Sequence, residues 1–443
     1  MSGSRQPRLI APRAKGDGPG RGPGRRNVPG IASVVSAVGL VVVAVLSYGL
    51  LGGSLPDIIP IRQVHPGDVP NRTPNPIVVY TPVAAQPPQV LGTILFVKAG
   101  NIWSVSGGDQ LTRLTSSGTD QTPTWSPDGK TIYFIRVLSQ KAHVPCSYIA
   151  AGGCVPGTAV NYTLEYPVLT RMADAPGAAA TAVESGLYSL PAGGQYFYGL
   201  WQPSLSPDGR TFAILSDAPD PFNNSVALST LPVRGGRLTR LPVGEAAYYG
   251  YGLGQNDPQW SPDGSVIAYT YNDKVGAYGA PRIALYNVKT QTASFLTANG
   301  YAQPSWSPDG RYLAAVRTTA RGRDVVILDA HTGKLLATLT HDARSFAPAW
   351  SPAGNQIAFL RAVGATIDLQ LITLGGVPPR FTVAKLEPLT SQSQLDGTSR
   401  PAWYIPPSQL PPPAPEAPSP AAASGLPVAS ATPGAPPAAV ESP

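Results

Sequence analysis

Side chains that usually carry out catalysis or hold metal ions are scarce in this sequence, whose 443 residues include only two cysteines and four histidines. The histidines, at positions 65, 143, 331 and 341, are dispersed and share no spacing, so a histidine-based metal cage is not indicated. The nucleophile elbow G-x-S-x-G, typical of α/β-hydrolases, is absent. The sequence therefore predicts no catalytic residue, no metal ligand and no cofactor.

Charge is also scarce: Asp, Glu, Lys and Arg make up 13% of the chain, and the formal net charge is +7. Residues 1–26 contain seven of the 32 basic side chains and one of the 25 acidic ones, so the rest of the chain is nearly neutral. A basic face that follows nucleic-acid phosphates is not predicted. The chain is instead rich in proline (51) and glycine (47), which favours turns and linkers over helices.

An uncharged apolar segment at 31–51 is long enough to cross a ~30 Å hydrocarbon core as a helix. It predicts a single-pass anchor at 29–53. A cleaved signal peptide is the alternative, because small residues follow directly from Gly52 onward. The basic tail, 1–28, is expected in the cytoplasm, which would place the chain from about residue 54 onward outside the cytoplasm.

Two proline-rich segments flank the middle of the chain. Residues 54–91 contain nine prolines and are predicted to be an extended spacer. Residues 406–443 contain thirteen prolines with many alanines and are predicted to be a disordered tail. Neither segment is expected to form a core.

The two cysteines, Cys146 and Cys154, lie close together in the glycine-containing stretch V-P-C-S-Y-I-A-A-G-G-C-V-P. In an oxidising compartment we expect them to form a local disulfide, with free thiols as the alternative.

A motif of the form P-x-W-S-P-D-G repeats along the middle of the chain. Its copies are at 123–129, 203–209, 258–264, 304–310 and 348–354, with a shortened sixth copy, P-A-W-Y, at 401–404. Ser, Pro, Asp and Gly suit the successive positions of a tight turn, so the aspartates are interpreted as turn formers rather than ligands. A short alternating apolar run, such as T-F-A-I-L, follows most copies, so each copy predicts a β-hairpin whose Trp faces a neighbouring sheet.

The repeats predict an all-β, six-bladed β-propeller at 92–405, with four strands in each blade. The segment 93–113 supplies three strands without a preceding motif, and the last motif supplies one strand with none after it. These four strands are expected to share one blade and close the ring. The turn serines Ser126 and Ser206 are 80 residues apart, against 46 between Ser261 and Ser307, which places an insertion at about 138–185.

The motif and its number resemble the WD40-like repeats of TolB-type propellers, over about residues 92–405. The resemblance implies a six-bladed, non-enzymatic, extracytoplasmic module that binds protein partners at the mouth of its central channel.

The residues just before each motif proline enter the innermost strand of a blade and should ring one mouth of the channel. They mix polar and aromatic side chains, which suits peptide recognition, although they could also serve only to cap strands. The candidates are Gln121, Trp201, Gln202, Asn256, Asp257, Gln303, Phe346 and Arg400.

The sequence favours a membrane-tethered, extracytoplasmic propeller of the cell envelope that binds an envelope protein or peptide. The alternative is a metal-dependent propeller enzyme or a small-ligand binder, with a calcium ion in the channel, motivated by Asn256 and Asp257 beside Asp120. A purely structural role in the envelope is a third interpretation.

Overall fold

The computed structural model describes residues 89–411, apart from 109, 149–154, 156, 192, 220, 222–225, 244–253 and 273–280. The predicted cytoplasmic tail, the predicted anchor, nearly all of the spacer and most of the proline-rich tail lie outside these residues. No helix within the described ranges is long and apolar enough to cross a membrane.

The described chain folds into six four-stranded antiparallel sheets, which form a six-bladed β-propeller. The first three strands are β1 (Val90–Lys98), β2 (Asn101–Gly107) and β3 (Gln110–Arg113). Blade 1 follows, with β4 (Asp120–Trp125), β5 (Thr131–Pro145), β6 (Ala159–Ala173) and β7 (Thr181–Ser185). A separate two-stranded hairpin comes next, formed by β8 (Leu187–Ser189) and β9 (Gln195–Phe197).

Blades 2 to 5 each use four consecutive strands. Blade 2 has β10 (Trp201–Leu205), β11 (Thr211–Ser216), β12 (Ala227–Pro232) and β13 (Thr239–Arg240), and blade 3 has β14 (Gly254–Trp260), β15 (Val266–Asn272), β16 (Arg282–Asn287) and β17 (Thr292–Phe295). Blade 4 has β18 (Tyr301–Trp306), β19 (Tyr312–Thr319), β20 (Gly322–Asp329) and β21 (Leu335–Thr338), and blade 5 has β22 (Ser345–Trp350), β23 (Gln356–Val363), β24 (Thr366–Val377) and β25 (Arg380–Pro388).

The chain end closes the ring, as the repeat predicts. The last strand, β26 (Ala402–Tyr404), is the innermost strand of blade 6 and pairs with β1, so that Thr93 lies opposite Tyr404 and Leu95 opposite Ala402. The six blades and the shared closing blade are therefore confirmed.

The boundaries of the propeller differ slightly from the predicted 92–405. β1 starts at Val90, inside the predicted spacer, and a short 3₁₀ helix, Pro407–Gln409, lies inside the predicted disordered tail. The backbone N–H of Gly92 donates to Gln409 Oε1 at 3.2 Å, which attaches this part of the tail to the closing blade.

The second strand of each blade is buried on both faces rather than on one. In β11, Phe212, Ala213, Ile214 and Leu215 are each at most 2% exposed, although the sequence predicted alternation. The reason is that neighbouring blades pack against both faces of each sheet, as they do for other doubly covered strands. Burial of each large side chain of this kind stabilises the fold by about 1.5–3 kcal/mol.

The insertion lengthens blade 1. β5 and β6 have 15 residues each and pair along their whole length, from Thr131 opposite Ala173 to Pro145 opposite Ala159. The predicted insertion at about 138–185 thus contains β6 and β7, which are strands of the blade itself. The run at Leu187 forms the separate hairpin with β9 and is not a strand of the blade, because β7 already supplies the fourth strand of blade 1.

The turns have the predicted chemistry. Ser126 Oγ donates to Asp128 Oδ1 at 2.6 Å, and the N–H of Gly129 donates to the carbonyl of Ser126 at 2.9 Å. Asp208, Asp263 and Asp309 accept from the serine of their own turn in the same way. The interpretation of these aspartates as turn formers is confirmed.

Cys146 is buried in a short 3₁₀ helix, Cys146–Tyr148, with its Sγ 3.1 Å from Thr158 Oγ1. Cys154 lies outside the described residues, so the disulfide between these two cysteines stays a prediction.

Candidate functional site

Each innermost strand of blades 1 to 5 has a bulge at the residue before the motif proline. These residues have positive φ angles between 47° and 55°, and the strand register shifts at each of them. Such angles are uncommon in non-glycine residues, so the surrounding contacts must hold them. The five are Thr122, Gln202, Asp257, Gln303 and Ala347.

Side chains from the preceding blade hold several of these bulges. The N–H of Asp257 donates to Gln202 Oε1 at 2.7 Å, and the N–H of Ala347 donates to Gln303 Oε1 at 2.8 Å. Thr270 Oγ1 accepts from the N–H of Gln303 at 2.8 Å. Gln202 and Gln303 therefore connect adjacent blades around the channel, which gives both a structural role.

Arg400 occupies the corresponding position in blade 6, and its side chain crosses the channel. Its Nη1 donates to the carbonyl oxygen of Pro304, in blade 4, at 2.6 Å. Its Nη2 lies 3.9 Å from Asp257 Oδ1, in blade 3. Blade 3 is opposite blade 6 in a ring of six, so the guanidinium lies across the channel at the level of the bulges.

The ion pair across the channel is strongly desolvated, since the side chains of Asp257 and Arg400 are each 14% exposed. Burial raises the pKa of the Asp257 carboxyl, and the Arg400 charge and the Thr270 hydroxyl oppose this shift. Burial lowers the pKa of Arg400, and the Asp257 charge opposes it. Arg400 remains a cation, because arginine does not lose its proton in proteins.

A cavity of about 450 Å³ extends along the inner strands from these bulges to the motif turns. Its floor contains Thr122, Gln202, Asp257 and Arg400. Its walls and mouth are formed by tryptophans and by the prolines of the turns; the tryptophans are Trp125, Trp260, Trp306, Trp350 and Trp403.

Most of these indoles are fixed by the blade before them. The indole N–H of Trp125 donates to the carbonyl of Ala402, that of Trp260 to Ser204, and that of Trp306 to Gln259, at 3.1–3.2 Å. The predicted contact between each of these tryptophans and a neighbouring sheet is confirmed. These hydrogen bonds fix three of the five indoles that line the cavity.

The structure separates the eight predicted residues into two groups. Gln202, Asp257, Gln303 and Arg400 meet around the channel. The other four precede the bulge by one residue, where the strand turns side chains in another direction: Gln121, Trp201, Asn256 and Phe346. Of these, Trp201 is 38% exposed beside Gly199, and Phe346 is 4% exposed in the core.

Four residues around the channel were not predicted. Thr122 and Ala347 lie at the same offset from their prolines as Gln202 and could have been found by applying one offset to every repeat. Ser399, whose Oγ accepts from the N–H of Thr122 at 3.1 Å, and Thr270 have no signal of this kind in the sequence.

Asp120 is fully buried and does not face the channel as a free ligand. Arg136 donates to both of its carboxylate oxygens, at 2.6 Å and 2.9 Å. No group of three or more His, Cys, Asp or Glu side chains in the described part of the chain is arranged to hold a metal ion.

No protein-family model matches the chain, and no curated protein does. Among solved structures, TolB from Acinetobacter baumannii is 20% identical, with a TM-score of 0.47 and coverage of 72% of this chain and 68% of that one. A putative TolB from Agrobacterium tumefaciens is 17% identical, with a TM-score of 0.46 and coverage of 71% and 94%. A chain of a nidogen/laminin complex is 11% identical, with a TM-score of 0.46 and coverage of 70% and 97%. No residue role follows from likenesses of this size.

Proposed function

We propose that this six-bladed propeller, whose repeats resemble those of TolB-type propellers, is a non-enzymatic interaction module of the cell envelope. It binds a protein or peptide partner in the cavity at the turn end of its channel. The predicted anchor and proline-rich spacer hold it at the outer side of the membrane.

The observation that carries this proposal is the composition of the cavity. Its walls are tryptophan and proline surfaces, and its floor has a few polar groups around one guanidinium. Rigid aromatic surfaces with a small number of placed polar groups are typical of sites that recognise peptides and other organic ligands.

The state of the nearby carboxylates also supports binding rather than catalysis. Asp120 is bound by Arg136, and Asp257 accepts from Thr270 Oγ1 at 3.1 Å and from Gln202 Nε2 at 3.4 Å. A general base must reach a proton of the substrate, and both carboxylates already hold other groups.

Photo-crosslinking tests the proposal. Thr398 is exposed and lines the cavity, so a photoreactive residue there would report an occupant without disturbing the bulges. Thr292, exposed on the outer strand of blade 3, is the matched control. We expect one discrete adduct in native membranes from position 398 alone. Equal labelling from both positions, or no adduct from position 398, would contradict the proposal.

The display part of the proposal has its own test. Deleting residues 54–86 shortens the spacer without removing β1, which starts at Val90. We expect the adduct from position 398 to weaken strongly in the membrane but not for detergent-extracted protein mixed with the same membrane extract. An unchanged yield of the adduct in the membrane would show that the spacer is not needed to position the propeller for its partner.

A small-ligand or metal-dependent activity is the second candidate, favoured by the raised pKa of Asp257 in a cavity, a feature common at active sites. A calcium ion bound in the channel would raise the melting temperature at millimolar calcium. We expect no rise, since the oxygens of Asp120 and Asp257 are already engaged.

A further inference from the structure

Two hydrogen-bond donors at the floor of the cavity have no acceptor within the described residues. They are Arg400 Nη2 and Thr122 Oγ1, and both atoms are buried. Both residues line the same cavity, on the adjacent blades 6 and 1. Buried donors without acceptors are rare and costly in folded proteins, so two of them around one cavity need a common explanation.

Neither donor can be satisfied by the groups already there. Asp257 Oδ1 lies 3.9 Å from Arg400 Nη2, too far for a hydrogen bond. The oxygens of that carboxylate instead accept from Gln202 and Thr270. The other nitrogen of the fork, Nη1, is fixed by the carbonyl of Pro304 at 2.6 Å, so the guanidinium cannot turn freely toward Asp257.

We propose that the floor of the cavity, formed by Arg400 and Thr122, is a site for the C-terminal carboxylate of a peptide partner. The inference rests on the proposed function and names the chemical group that the partner inserts. A carboxylate offers two acceptor oxygens, matches the guanidinium in shape and charge, and could accept from the threonine hydroxyl at the same time.

The position of Arg400 favours a chain end over a chain that passes through. Its side chain reaches from blade 6 to blades 3 and 4 and so obstructs the cavity at the level of the bulges. A terminal carboxylate that enters from the turns can pair with the guanidinium there. The indole and proline walls would contact the side chains of the last residues.

The tryptophans around the cavity provide the measurement. The chain has seven tryptophans, and five of them line the cavity, so full-length protein labelled with 5-fluorotryptophan gives a small set of ¹⁹F signals that report its occupancy. The probe is N-acetylalanine, which ends in a carboxylate as a peptide does. N-acetylalanine amide is the uncharged control. N-acetylaspartic acid α-amide, in which the α-carboxyl is an amide, presents only a side-chain carboxylate.

We expect saturable shifts of the cavity signals with N-acetylalanine in the millimolar range, and at least about tenfold weaker binding of its amide. Arg400→Gln should weaken N-acetylalanine binding about tenfold or more. Thr122→Val, which removes only the hydroxyl, should weaken it by a smaller factor, about threefold to tenfold. If Arg400→Gln does not fold, Arg400→Lys keeps a charge but loses the fork, and should also weaken binding.

Three results would overturn the proposal: no saturable shift with N-acetylalanine, equal binding of the amide, or binding that Arg400→Gln and Thr122→Val leave unchanged. Tighter binding of N-acetylaspartic acid α-amide than of N-acetylalanine would show that the site prefers the carboxylate of an acidic side chain. That result would overturn the assignment to a peptide C-terminus. A crosslink from position 398 that persists in Arg400→Gln, without any carboxylate preference, would leave the interaction module standing while the carboxylate site fails. Carboxylate binding without any crosslink from position 398 would leave the carboxylate site standing while the proposed interaction module fails.

Discussion

At the scale of single residues, the turn aspartates show why the motif needs an acid at this position. In four turns the carboxylate accepts from the turn serine and also from the backbone N–H two residues further on, for example that of Lys130 at 3.1 Å. The hydroxyl of the same serine then accepts from the start of the second strand, such as the N–H of Thr131 at 2.9 Å. One acid thus orients the serine that joins the two strands.

These contacts predict a dependence of stability on pH. A hydrogen bond from the turn serine is the largest cause that lowers the pKa of Asp128, Asp208 and Asp263 below their ordinary value of 3.8. The next cause is a backbone N–H at Asp128 and Asp208 and the Ser265 hydroxyl at Asp263. A carboxyl with a depressed pKa in the folded state stabilises the fold fully above its unfolded value, and this contribution is lost as the pH falls through the folded value.

The triple variant Asp128→Ala, Asp208→Ala, Asp263→Ala should therefore melt below the wild type at pH 7, with a gap that narrows as the pH falls below about 3.8. Thermal melts by circular dichroism between pH 7 and pH 3 measure this gap. A gap that stays constant or widens in acid would show that the aspartates act through something other than their charge.

Blade 5 lacks this acid and allows the reverse experiment. Its turn has Ala353, whose N–H donates to Ser351 Oγ at 3.2 Å. Ala353→Asp should restore the missing acceptor for Ser351 and for the N–H of Asn355, and raise stability by about 0.5–1 kcal/mol at pH 7. Denaturant unfolding measures the change, and Ala353→Leu, which adds bulk without an acceptor, is the control. Equal effects of the two substitutions would rule out the hydrogen bonds as the cause.

At the scale of elements, the closing strand β26 lacks the complete turn of the other motifs and has the aromatic ring of Tyr404 in its place. Elsewhere the glycine of each turn lies near the proline of the previous turn, so that a Cβ on Gly264 would be 3.7 Å from Pro207 Cδ. At Gly129 the neighbour is instead the ring of Tyr404, whose hydroxyl donates to the carbonyl of Asp128 at 3.0 Å. Tyr404 thus completes the ring of turns that the sixth motif leaves open.

Two glycine substitutions distinguish this contact from ordinary backbone strain. Gly129 and Gly264 have similar φ angles, 67° and 72°, so alanine strains both backbones equally. Only at residue 129 would the new Cβ lie 2.0 Å from a Tyr404 ring atom. Gly129→Ala should cost roughly 1–3 kcal/mol more than Gly264→Ala, as expected for overpacking.

The free energies of unfolding of the two variants give this difference, and Tyr404→Ala combined with Gly129→Ala should remove most of it. Equal losses in the two single variants would mean that Tyr404 moves aside without cost.

The repeat made most of the blades predictable, because turn chemistry and spacing are local signals. The lengthened part of β5 was not predictable in this way. It reads L-S-Q-K-A-H-V-P, in which half of the residues are polar. It is held by its partner β6, by a hydrogen bond from Gln140 to Gln195 of β9 at 2.8 Å, and by a small core around Val144 and Leu164. The pairs around the channel were partly predictable, because Asp257 and Arg400 share one offset from a motif proline. Their approach across the channel depends on ring closure, which no local pattern encodes.

At the scale of the whole molecule, stability depends on the strand that joins the two ends of the propeller. Trp403 packs partly buried against the cluster around Ile94, its indole N–H donates to the carbonyl of Leu91 at 2.8 Å, and Ile405 is 3% exposed. Removing the Trp403 and Ile405 side chains from the fold would lower the free energy of unfolding by about 3 kcal/mol or more.

Truncation after Pro401 should therefore lower the melting temperature by several degrees and expose the edge of β1. Truncation after Pro411 keeps β26 and the 3₁₀ helix and is expected to leave the melting temperature unchanged. Differential scanning calorimetry on the two truncated chains and the full chain makes the comparison. Identical melting of all three would show that the ring is stable without its closing strand.

Ring closure also sets the order of events in time. Leu91 and Trp403, which hydrogen-bond in the closing blade, are 312 residues apart in the chain. At a synthesis rate of about 5–20 residues per second, β1 leaves the ribosome roughly 15–60 seconds before its partner strand exists. Throughout that interval the apolar edge of β1 has no native strand to pair with. A factor that occupies this edge in the nascent chain would therefore act on the yield of folded protein without changing the stability of the finished ring.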